Sequence, residues 1–477
     1  MYICRVRFDG RFRATLLLAL CLATLGDLVR AEPNAANSPS LRLATFVADV
    51  SPPLGHPLFG SISPPAAEIG EPLSARGMVL LGCGEPIVIV AVDWLEIRND
   101  AYRRWREALA EAAGTRPARV LVSCVHQHDA PLADLTAQRL LSERGLAGQW
   151  IDPVFHRKAV QAVAEAARAA IAKAQPVTHL GTGKAMVEGI ASNRRYLGAD
   201  GTPRHDRGSA TSDPFMREQP EGTIDPWLRT LSYWNGDQPI VALSAYSTHP
   251  MSYYGTGRVS SDFPGIARQQ RQDETPETLQ IYLSGASGNV TAGKYNAGEP
   301  ENRAVLASRL YSAMREAWES TERVPIGPVT FRGIEFELAP RDEPGFRLPD
   351  LDAKLVTEQD ARTQCLAALG LSWRRRVAAR EKLDLPAVDF GSAVFLLLPA
   401  ESYVEYQLLA SRLRPNDFVL VAGYGECGPG YIPHEQAWAE QDANLSDWCW
   451  IAPGAEAPYT AAIRQALDAD ATTGSTP

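Results

Sequence analysis

The chain has 477 residues, of which 45% are hydrophobic and 22% charged, so it can bury a substantial core as one large domain or two fused ones. Its net charge of -9, its pI near 5.5 and the lack of a long Lys/Arg cluster argue against binding to nucleic acid and against electrostatic adhesion to anionic lipid. Neutral small molecules are therefore the expected partners.

The first 31 residues are typical of a signal peptide. Several arginines precede a short apolar run from Ala14 to Leu25, and Val29-Arg30-Ala31 forms a small-x-small cleavage site. The apolar run is too short to span a bilayer, and no other uncharged run is long enough. We therefore predict an exported protein, periplasmic or secreted, without a transmembrane span. Transient contact with a membrane surface is compatible with this prediction.

Residues 32–40 are predicted as a linker and 41–460 as one α/β domain, with a helical insertion at 341–385. Residues 461–477 are predicted as the end of a terminal helix and a disordered tail. Five cysteines follow the signal peptide without a Cys-x-x-Cys pair, which argues against a zinc ribbon and a disulfide scaffold. One bridge is compatible with export, and Cys427 with Cys449 is the expected pair because they are near in sequence.

Strand and helix signals alternate along the chain. Apolar runs bounded by turn residues predict strands, and amphipathic runs predict helices, one of them capped by Asp152-Pro153. The predicted strands are 41–50, 78–81, 86–92, 118–125, 177–187, 228–234, 239–246, 279–283, 329–338, 393–398 and 418–424, and the predicted helices are 102–113, 152–174, 302–321 and 458–467. This order predicts a mixed β-sheet core flanked by helices.

The strand predicted at 118–125 leads directly into His126 and His128. Because side chains alternate in an extended segment, we expect both histidines to point the same way at the end of the strand. Converging imidazoles suit a divalent metal, although the pattern alone is equally typical of polar residues satisfied at a strand terminus. His156, on the helix predicted at 152–174, is expected to be a surface or capping residue.

Two later strands end in the same way. His249 follows the strand predicted at 239–246, and Glu401 follows the one at 393–398. Zinc takes nitrogen and oxygen ligands, and a catalytic zinc keeps one position open. His126, His249 and Glu401 therefore predict a zinc (Zn2+) site at three strand ends.

Several motifs, in order from about residue 41 to about 440, resemble the neutral (non-lysosomal) ceramidase family. They are Asp-Val-Ser-Pro-Pro-Leu-Gly at 49–55, Val-His-Gln-His-Asp-Ala-Pro at 125–131, Ser-Thr-His-Pro at 247–250 with Ser-Ser-Asp at 260–262, Pro-Ala-Glu-Ser-Tyr at 399–403 with Arg-Leu-Arg at 412–414, and Gly-Tyr-Ile-Pro-His-Glu at 430–435. The resemblance implies that 41–460 is a ceramidase-like α/β catalytic domain. Its implied activity is hydrolysis of the amide bond of ceramide-like N-acyl lipids.

The resemblance also implies a ligand set for zinc, formed by His126, His249, Glu401 and Tyr431. Arg194 matches the Asn-Arg motif on the substrate side of the family's site. Zinc would lower the pKa of water toward ~7 and polarise the carbonyl of the substrate.

His128 then suits a general base or acid, because an unperturbed histidine titrates near neutrality. Thr291 and Tyr431 suit hydrogen-bond donors to the developing oxyanion, and a nucleophilic hydroxyl is an alternative that the residues do not decide.

Three departures from the family pattern weaken the substrate assignment more than the metal assignment. The loop that carries the family's active-site serine has Thr291 in that place and Asn289 where the family has an aspartate. Asp129 replaces a serine in the first histidine motif. The sequence also continues only briefly past the tyrosine motif, so the C-terminal Ig-like β-sandwich of typical members is not expected.

Two other functions fit the same residues. One is a different exported amidase or esterase on the same scaffold, and the other is a non-catalytic homologue that keeps a metal site. An amidohydrolase barrel fits poorly because no second histidine pair follows His128, and the metallo-β-lactamase pattern is absent because Asp129 directly follows His128. The oligomeric state is not specified by the sequence.

Overall fold

The computed structural model describes residues 41–469, which belong to one compact unit. The predicted signal peptide (1–31), the predicted linker (32–40) and the last part of the predicted tail (470–477) lie outside the described residues. Within the described part, no helix is both long and apolar enough to cross a membrane.

The strands are numbered in chain order. They are β1 Arg42–Asp49, β2 Glu68–Ile69, β3 Ser74–Leu81, β4 Ile87–Val92, β5 Glu96–Ile97, β6 Val120–Cys124, β7 Leu132–Ala133, β8 Gln175–Pro176, β9 His179–Met186, β10 Ser192–Asn193, β11 Tyr196–Leu197, β12 Pro203–Arg204, β13 Trp227–Asn235, β14 Gln238–Tyr246, β15 Arg258–Val259, β16 Leu279–Ser284, β17 Val290–Thr291, β18 Glu322–Pro325, β19 Thr330–Phe336, β20 Leu383–Asp389, β21 Ala393–Leu397, β22 Glu401–Ser402, β23 Phe418–Ala422 and β24 Tyr431–Ile432.

The α-helices are α1 Asn99–Ala113, α2 Leu135–Ser142, α3 Pro153–Ile171, α4 Pro214–Glu218, α5 Asp262–Glu274, α6 Pro300–Glu319, α7 Leu348–Thr357, α8 Ala361–Ala378, α9 Val404–Leu413, α10 Glu435–Ala439 and α11 Glu456–Ala466. Short 3-10 helices occupy Gly60–Ile62, Pro117–Arg119 and Ala443–Leu445.

Three larger sheets form the core. Two have five strands, in the orders β6-β4-β3-β1-β8 and β16-β14-β13-β9-β18, and the third has four, in the order β19-β20-β21-β23. Most neighbours are antiparallel, but each sheet contains one parallel pair, β4 with β6, β14 with β16 and β21 with β23. Each parallel pair includes an edge strand, which is β6, β16 or β23, and the carboxyl end of that strand contacts the other sheets.

The three edge strands β6, β16 and β23 meet at their carboxyl ends. Cys124 N donates to Tyr424 O at 2.9 Å, which joins the first sheet to the third. Gly423 N donates to Ser284 O at 2.7 Å, and Ser284 Oγ donates to Val125 O at 2.7 Å. These bonds link all three sheets around one point. Residues that follow these strands therefore lie close together.

Helices cover the outer faces of the sheets. Helices α1 and α3 pack against each other and over the first sheet, α5 and α6 pack on the second, and α11 packs on the third. Helices α7 and α8 form a pair within the segment predicted as an insertion, and β20 begins before that segment ends. The mixed α/β fold predicted from the alternation of strands and helices is confirmed.

Two expectations are corrected by the structure. The thiols of Cys427 and Cys449 are not bonded to each other, because Cys427 Sγ contacts Gly425 O at 3.1 Å whereas Cys449 Sγ contacts Tyr431 O at 3.4 Å. His156 is not a surface or capping residue, since it is only 3% exposed and faces the core side of α3. The predicted helix cap is Asp152, whose side chain accepts from Val154 N.

Candidate active site

The first two candidate histidines lie just beyond β6. The strand ends at Cys124, and His126 has a φ of 75°, in the left-handed region that non-glycine residues rarely adopt. The extended alternation used to predict that His126 and His128 face one way is therefore wrong at this point of the chain. The turn nevertheless places the two ring centroids 5.3 Å apart. Such backbone strain is concentrated at functional sites in proteins.

His249 comes from the second sheet, shortly after β14 ends, and its ring centroid lies 5.0 Å from that of His126. His249 Nδ1 faces Ser287 O at 2.6 Å, and His126 Nδ1 faces Leu95 O at 2.9 Å. A protonated Nδ1 that donates to each carbonyl leaves the Nε2 lone pair free. Metal-binding histidines are held in this way, because the backbone acceptor sets both tautomer and ring orientation.

Glu401 and Tyr431 are brought together by a short parallel pair. Strands β22 and β24 align Glu401 directly with Tyr431. Glu401 Oε2 lies 3.0 Å from His249 Nε2 and 3.3 Å from His126 Nε2. The residue before Glu401, Ala400, also has a positive φ of 52°, so the chain turns sharply to present the carboxylate. One carboxylate oxygen and two imidazole nitrogens thus converge from three different sheets.

The charges at this point favour a bound cation. Burial by itself would raise the pKa of Glu401, but His126 and His249 hold it well below its usual range. Burial, reinforced by the charge of Arg194, lowers the pKa of His249 to about 4. Burial and the neighbouring histidines likewise hold the pKa of His128 well below 6.5. Near neutral pH Glu401 is therefore a carboxylate, and His249 and His128 are neutral imidazoles, the protonation states that metal binding requires.

The three histidines fit a metal ion. Among the described residues, ligand atoms of His126, His128 and His249 lie within 4.8 Å of one another, and all three side chains are buried. His126 Nε2 and both ring nitrogens of His128 have no hydrogen-bond partner in the described part of the chain. A buried nitrogen without a hydrogen-bond partner lowers the stability of a fold by about 1–3 kcal/mol, and a bound metal ion would remove this penalty. Nitrogen donors with one carboxylate suit zinc and other divalent transition metals.

Arg194 is held beside the cluster. It follows β10, which pairs with β17, and Arg194 N donates to Asn289 O at 2.8 Å. Arg194 Nη1 donates to Tyr431 Oη at 2.7 Å and to Asn444 Oδ1 at 3.1 Å. Burial by itself would lower the pKa of Arg194, but Tyr431 and Glu401 raise it, so the guanidinium is charged. A fixed buried cation therefore faces the same volume as the histidines.

Thr291 is not brought into this group. Its side chain is fully buried, and its Oγ1 donates to Gly208 O at 2.7 Å while accepting from Gly293 N at 3.2 Å. The hydroxyl is therefore occupied on both sides by backbone. The catalytic role of Thr291 stays a prediction, and the geometry of its hydroxyl gives it no support.

One buried carboxyl beside the cluster was missed by the sequence analysis. Glu96, in β5, is fully buried, and its Oε2 lies 2.8 Å from Arg98 Nη1. Burial raises the pKa of Glu96 to about 7, with Glu401 adding to the rise while Arg98 opposes it. Glu96 follows the apolar run of β4 by a few residues, so the strand-end rule that found Glu401 would have found it too.

A cavity of about 430 Å³ opens onto the histidine cluster and Arg194, and both aromatic and polar residues line it. The centroid of the Phe59 ring lies 4.8 Å from that of His128 and 5.6 Å from that of Trp448. The polar lining includes Asn444, which accepts from Arg194, and the Arg362–Asp447 ion pair at 2.9 Å. The remaining lining residues are Ile62, Gly208, Ser209, Ala210, Met251, Tyr254 and Ala443.

A larger cavity, of about 610 Å³, lies between Trp373, Leu383 and residues 452–455. It contains no histidine and none of the residues described above, so volume alone does not identify the reactive site.

Comparison with known proteins finds similarity in structure. No protein-family model matches the sequence, and no curated protein matches it either. A crystal structure of neutral ceramidase from Pseudomonas aeruginosa matches with a TM-score of 0.66 and 18% identity, covering 92% of this chain and 75% of that one. A ceramidase complexed with C2 matches with a TM-score of 0.67 and 16% identity, covering 91% and 76%. The resemblance suggested by the motifs is therefore shown in the fold: this chain has the fold of the neutral ceramidases.

Proposed function

We propose that this chain is an exported, zinc-dependent hydrolase that cleaves the amide bond of an N-acyl lipid such as N-acyl sphingosine. The observation that carries the proposal is the convergence of His126, His128, His249 and Glu401 on one cavity. The fold shared with neutral ceramidases supports the same assignment. Fold alone does not determine chemistry, so the proposal rests on the site.

His126, His249, Glu401 and Tyr431 are the proposed zinc ligands. The first three fit because two free Nε2 lone pairs face one carboxylate oxygen. Tyr431 fits because it is paired with Glu401 in β22–β24, lines the same cavity, and has a hydroxyl oxygen that accepts a hydrogen bond from the cationic Arg194. Bound zinc would supply a Lewis acid that polarises the amide carbonyl and lowers the pKa of water.

His128 and Arg194 are the proposed proton-transfer and charge-stabilising residues. His128 is neutral, and neither ring nitrogen has a hydrogen-bond partner among the described residues, so the ring can accept a proton from the attacking water and return it to the leaving nitrogen. Arg194 is charged and held by Tyr431 and Asn444, so it can donate to the oxyanion without reorganising.

The mixed aromatic and polar lining of the cavity suits a substrate with an apolar part and a polar part. Phe59 and Trp448 offer aromatic surface to an acyl chain, whereas Asn444, Arg362 and Asp447 offer hydrogen bonds to a polar part. An N-acyl lipid with a hydroxylated amine has this character. Export is proposed from the charged and apolar pattern of residues 1–31, and N-terminal sequencing of the mature protein would test it.

The direct experiment measures release of fatty acid from a fluorogenic N-acyl sphingosine by the mature protein, with zinc and after chelation. We expect release that a chelator abolishes and zinc restores. His126→Ala should abolish release, and His179→Ala, at a half-buried histidine outside the cavity, is the matched control. No release from a folded, zinc-loaded protein would overturn the assignment of substrate.

A different polar amide or ester is the second candidate. It is favoured by two observations, the Thr291 hydroxyl that faces Gly208 O and the Arg362–Asp447 pair that adds charge to the cavity. A panel of N-acyl amino acids and short esters separates this candidate from the first. Zinc binding without turnover of any member of the panel would indicate a non-catalytic homologue.

A further inference from the structure

Part of the long segment between β11 and β13 lines the cavity. Gly208, Ser209 and Ala210 line the cavity together with Arg194 and His249. Arg207, directly before them, is fully buried. The segment is therefore a built element of the site.

Three side chains hold this segment in place. The Arg207 guanidinium donates to Asn193 O at 2.6 Å and to Pro220 O at 2.9 Å, which closes the loop on itself and ties it to the residue before Arg194. Thr291 Oγ1 donates to Gly208 O at 2.7 Å. Asn296 Nδ2 donates to Ser209 O at 2.9 Å. The backbone on both sides of the Ser209 side chain is thus fixed by buried donors.

Within the described part of the chain, the hydroxyl of Ser209 has no hydrogen-bond partner. It is half-buried and lines the cavity, but it makes no hydrogen bond to any residue between 41 and 469. Asn444 joins this segment to Arg194, because its Nδ2 donates to His205 O at 2.9 Å while its Oδ1 accepts from Arg194. Ser209 and the charged guanidinium of Arg194 therefore line the same cavity, and Asn444 bonds both Arg194 and the segment that carries Ser209.

We propose that Ser209 is the active-site hydroxyl of this protein, and that Thr291 acts as a positioning residue that holds Gly208 and hence Ser209. The proposal rests on the hydrolytic function proposed above. Ser209 Oγ–H donates a hydrogen bond to the developing oxyanion of the amide, beside Arg194. No covalent bond to Ser209 forms, and the proton stays on Oγ. Thr291, whose hydroxyl is used by Gly208 O and Gly293 N, does not contact the substrate.

Kinetics and thermal stability distinguish the two hydroxyls. Ser209→Ala should lower kcat by about 10²–10³-fold with little change in KM, as removal of one oxyanion donor does elsewhere. It should leave the melting temperature unchanged, because no protein hydrogen bond is lost. Thr291→Val should lower the melting temperature, because Gly208 O loses a buried donor, and Thr291→Ser should restore it. Ser212→Ala, an exposed serine on the same segment, is the matched control.

Two further readouts separate failure of this inference from failure of the proposed function. Kinetics are measured on both a fluorogenic N-acyl sphingosine and p-nitrophenyl butyrate, and an enzyme active only on the ester still reports on Ser209. Binding of hexylphosphonate, whose tetrahedral anion mimics the transition state, should be at least about tenfold weaker in Ser209→Ala. Full activity and full phosphonate affinity in Ser209→Ala would overturn the inference. So would a Thr291→Val protein that loses turnover with an unchanged melting temperature.

Discussion

Two parts of the cavity lining, here called the proposed metal-binding wall and the proposed substrate-facing wall, are built in different ways. The proposed metal-binding wall consists of His126, His249 and Glu401, which follow strands, and its histidines are oriented by backbone carbonyls of Leu95 and Ser287. The proposed substrate-facing wall consists of Arg194, Asn444 and 208–210, and its loop segments are held by side chains, chiefly those of Arg207 and Asn444. The sheets set the positions of the residues in the first wall, whereas individual side-chain hydrogen bonds set those in the second. Damage to the first should therefore remove the metal, and damage to the second should remove turnover while the metal stays.

The largest expected effect is on the metal-binding wall. His126→Ala should remove zinc and abolish turnover, because His126 shares Glu401 Oε2 with His249. The metal-free protein should also have a lower melting temperature, because Leu95 O loses its buried donor, His126 Nδ1, at 2.9 Å. Zinc content by mass spectrometry and the melting temperature without metal are the measurements. A variant that retains a full equivalent of zinc would exclude His126 as a ligand.

The next effect concerns the support behind that wall. Glu96→Ala should destabilise the fold by about 3–5 kcal/mol, because it leaves the fully buried Arg98 without its partner at 2.8 Å. Urea denaturation measures the loss. The matched control is Glu85→Ala, which breaks the exposed pair of Glu85 with Arg116 and should cost about 1 kcal/mol or less. Equal losses in the two variants would show that Glu96 does not support the site.

The substrate-facing wall is probed at Arg194. Arg194→Lys should lower kcat by about 10²–10³-fold, because a lysine cannot reproduce the guanidinium contacts with Tyr431 and Asn444. Zinc content should be unchanged, which is the feature that separates the two walls. Arg195→Lys, at the neighbouring residue that pairs with Glu440 away from the cavity, should retain activity. Loss of zinc in Arg194→Lys would show that Arg194 is also needed for metal binding, and that the two walls do not act independently.

The smallest effect at neutral pH lies in the scaffold outside both walls. Burial lowers the pKa of His156 from 6.5 to about 4. The unfolded chain takes up a proton below pH 6.5 and the folded one does not, so stability is complete above about pH 6.5 and is lost as the pH falls toward 4. That difference corresponds to about 3 kcal/mol at the acid end.

His156→Leu should therefore flatten stability between pH 6.5 and 4 and change it little at pH 8. Denaturant unfolding across this range is the measurement, with His179→Leu as the control. If His156→Leu lost as much stability in acid as the unsubstituted protein, the acid sensitivity would come from other groups. The first of these to test is His56, whose pKa burial also lowers to about 4.

The sequence by itself determined the strands and which polar residues follow them. Apolar runs with turn residues at their ends are local signals, and they predicted β6, β14 and β21 together with His126, His249 and Glu401 beyond them. The strand ends meet at one place because β16 and β23, the parallel partners of β14 and β21, are bonded to each other and to the end of β6. The bonds are Cys124 N to Tyr424 O, Gly423 N to Ser284 O and Ser284 Oγ to Val125 O. The fold class followed from the same pattern.

Only the tertiary structure decided how individual hydroxyl and carboxyl groups are used. Thr291 Oγ1 binds Gly208 O, 83 residues away, and Asn444 binds His205 O, 239 residues away. No local pattern records such partners, because a hydrogen bond depends on where two distant segments meet and carries no periodic signature in either one. For the same reason the turn at His126 replaced the strand geometry expected there. Residue type and strand position were readable from the sequence, and the partner of each polar atom was set by packing.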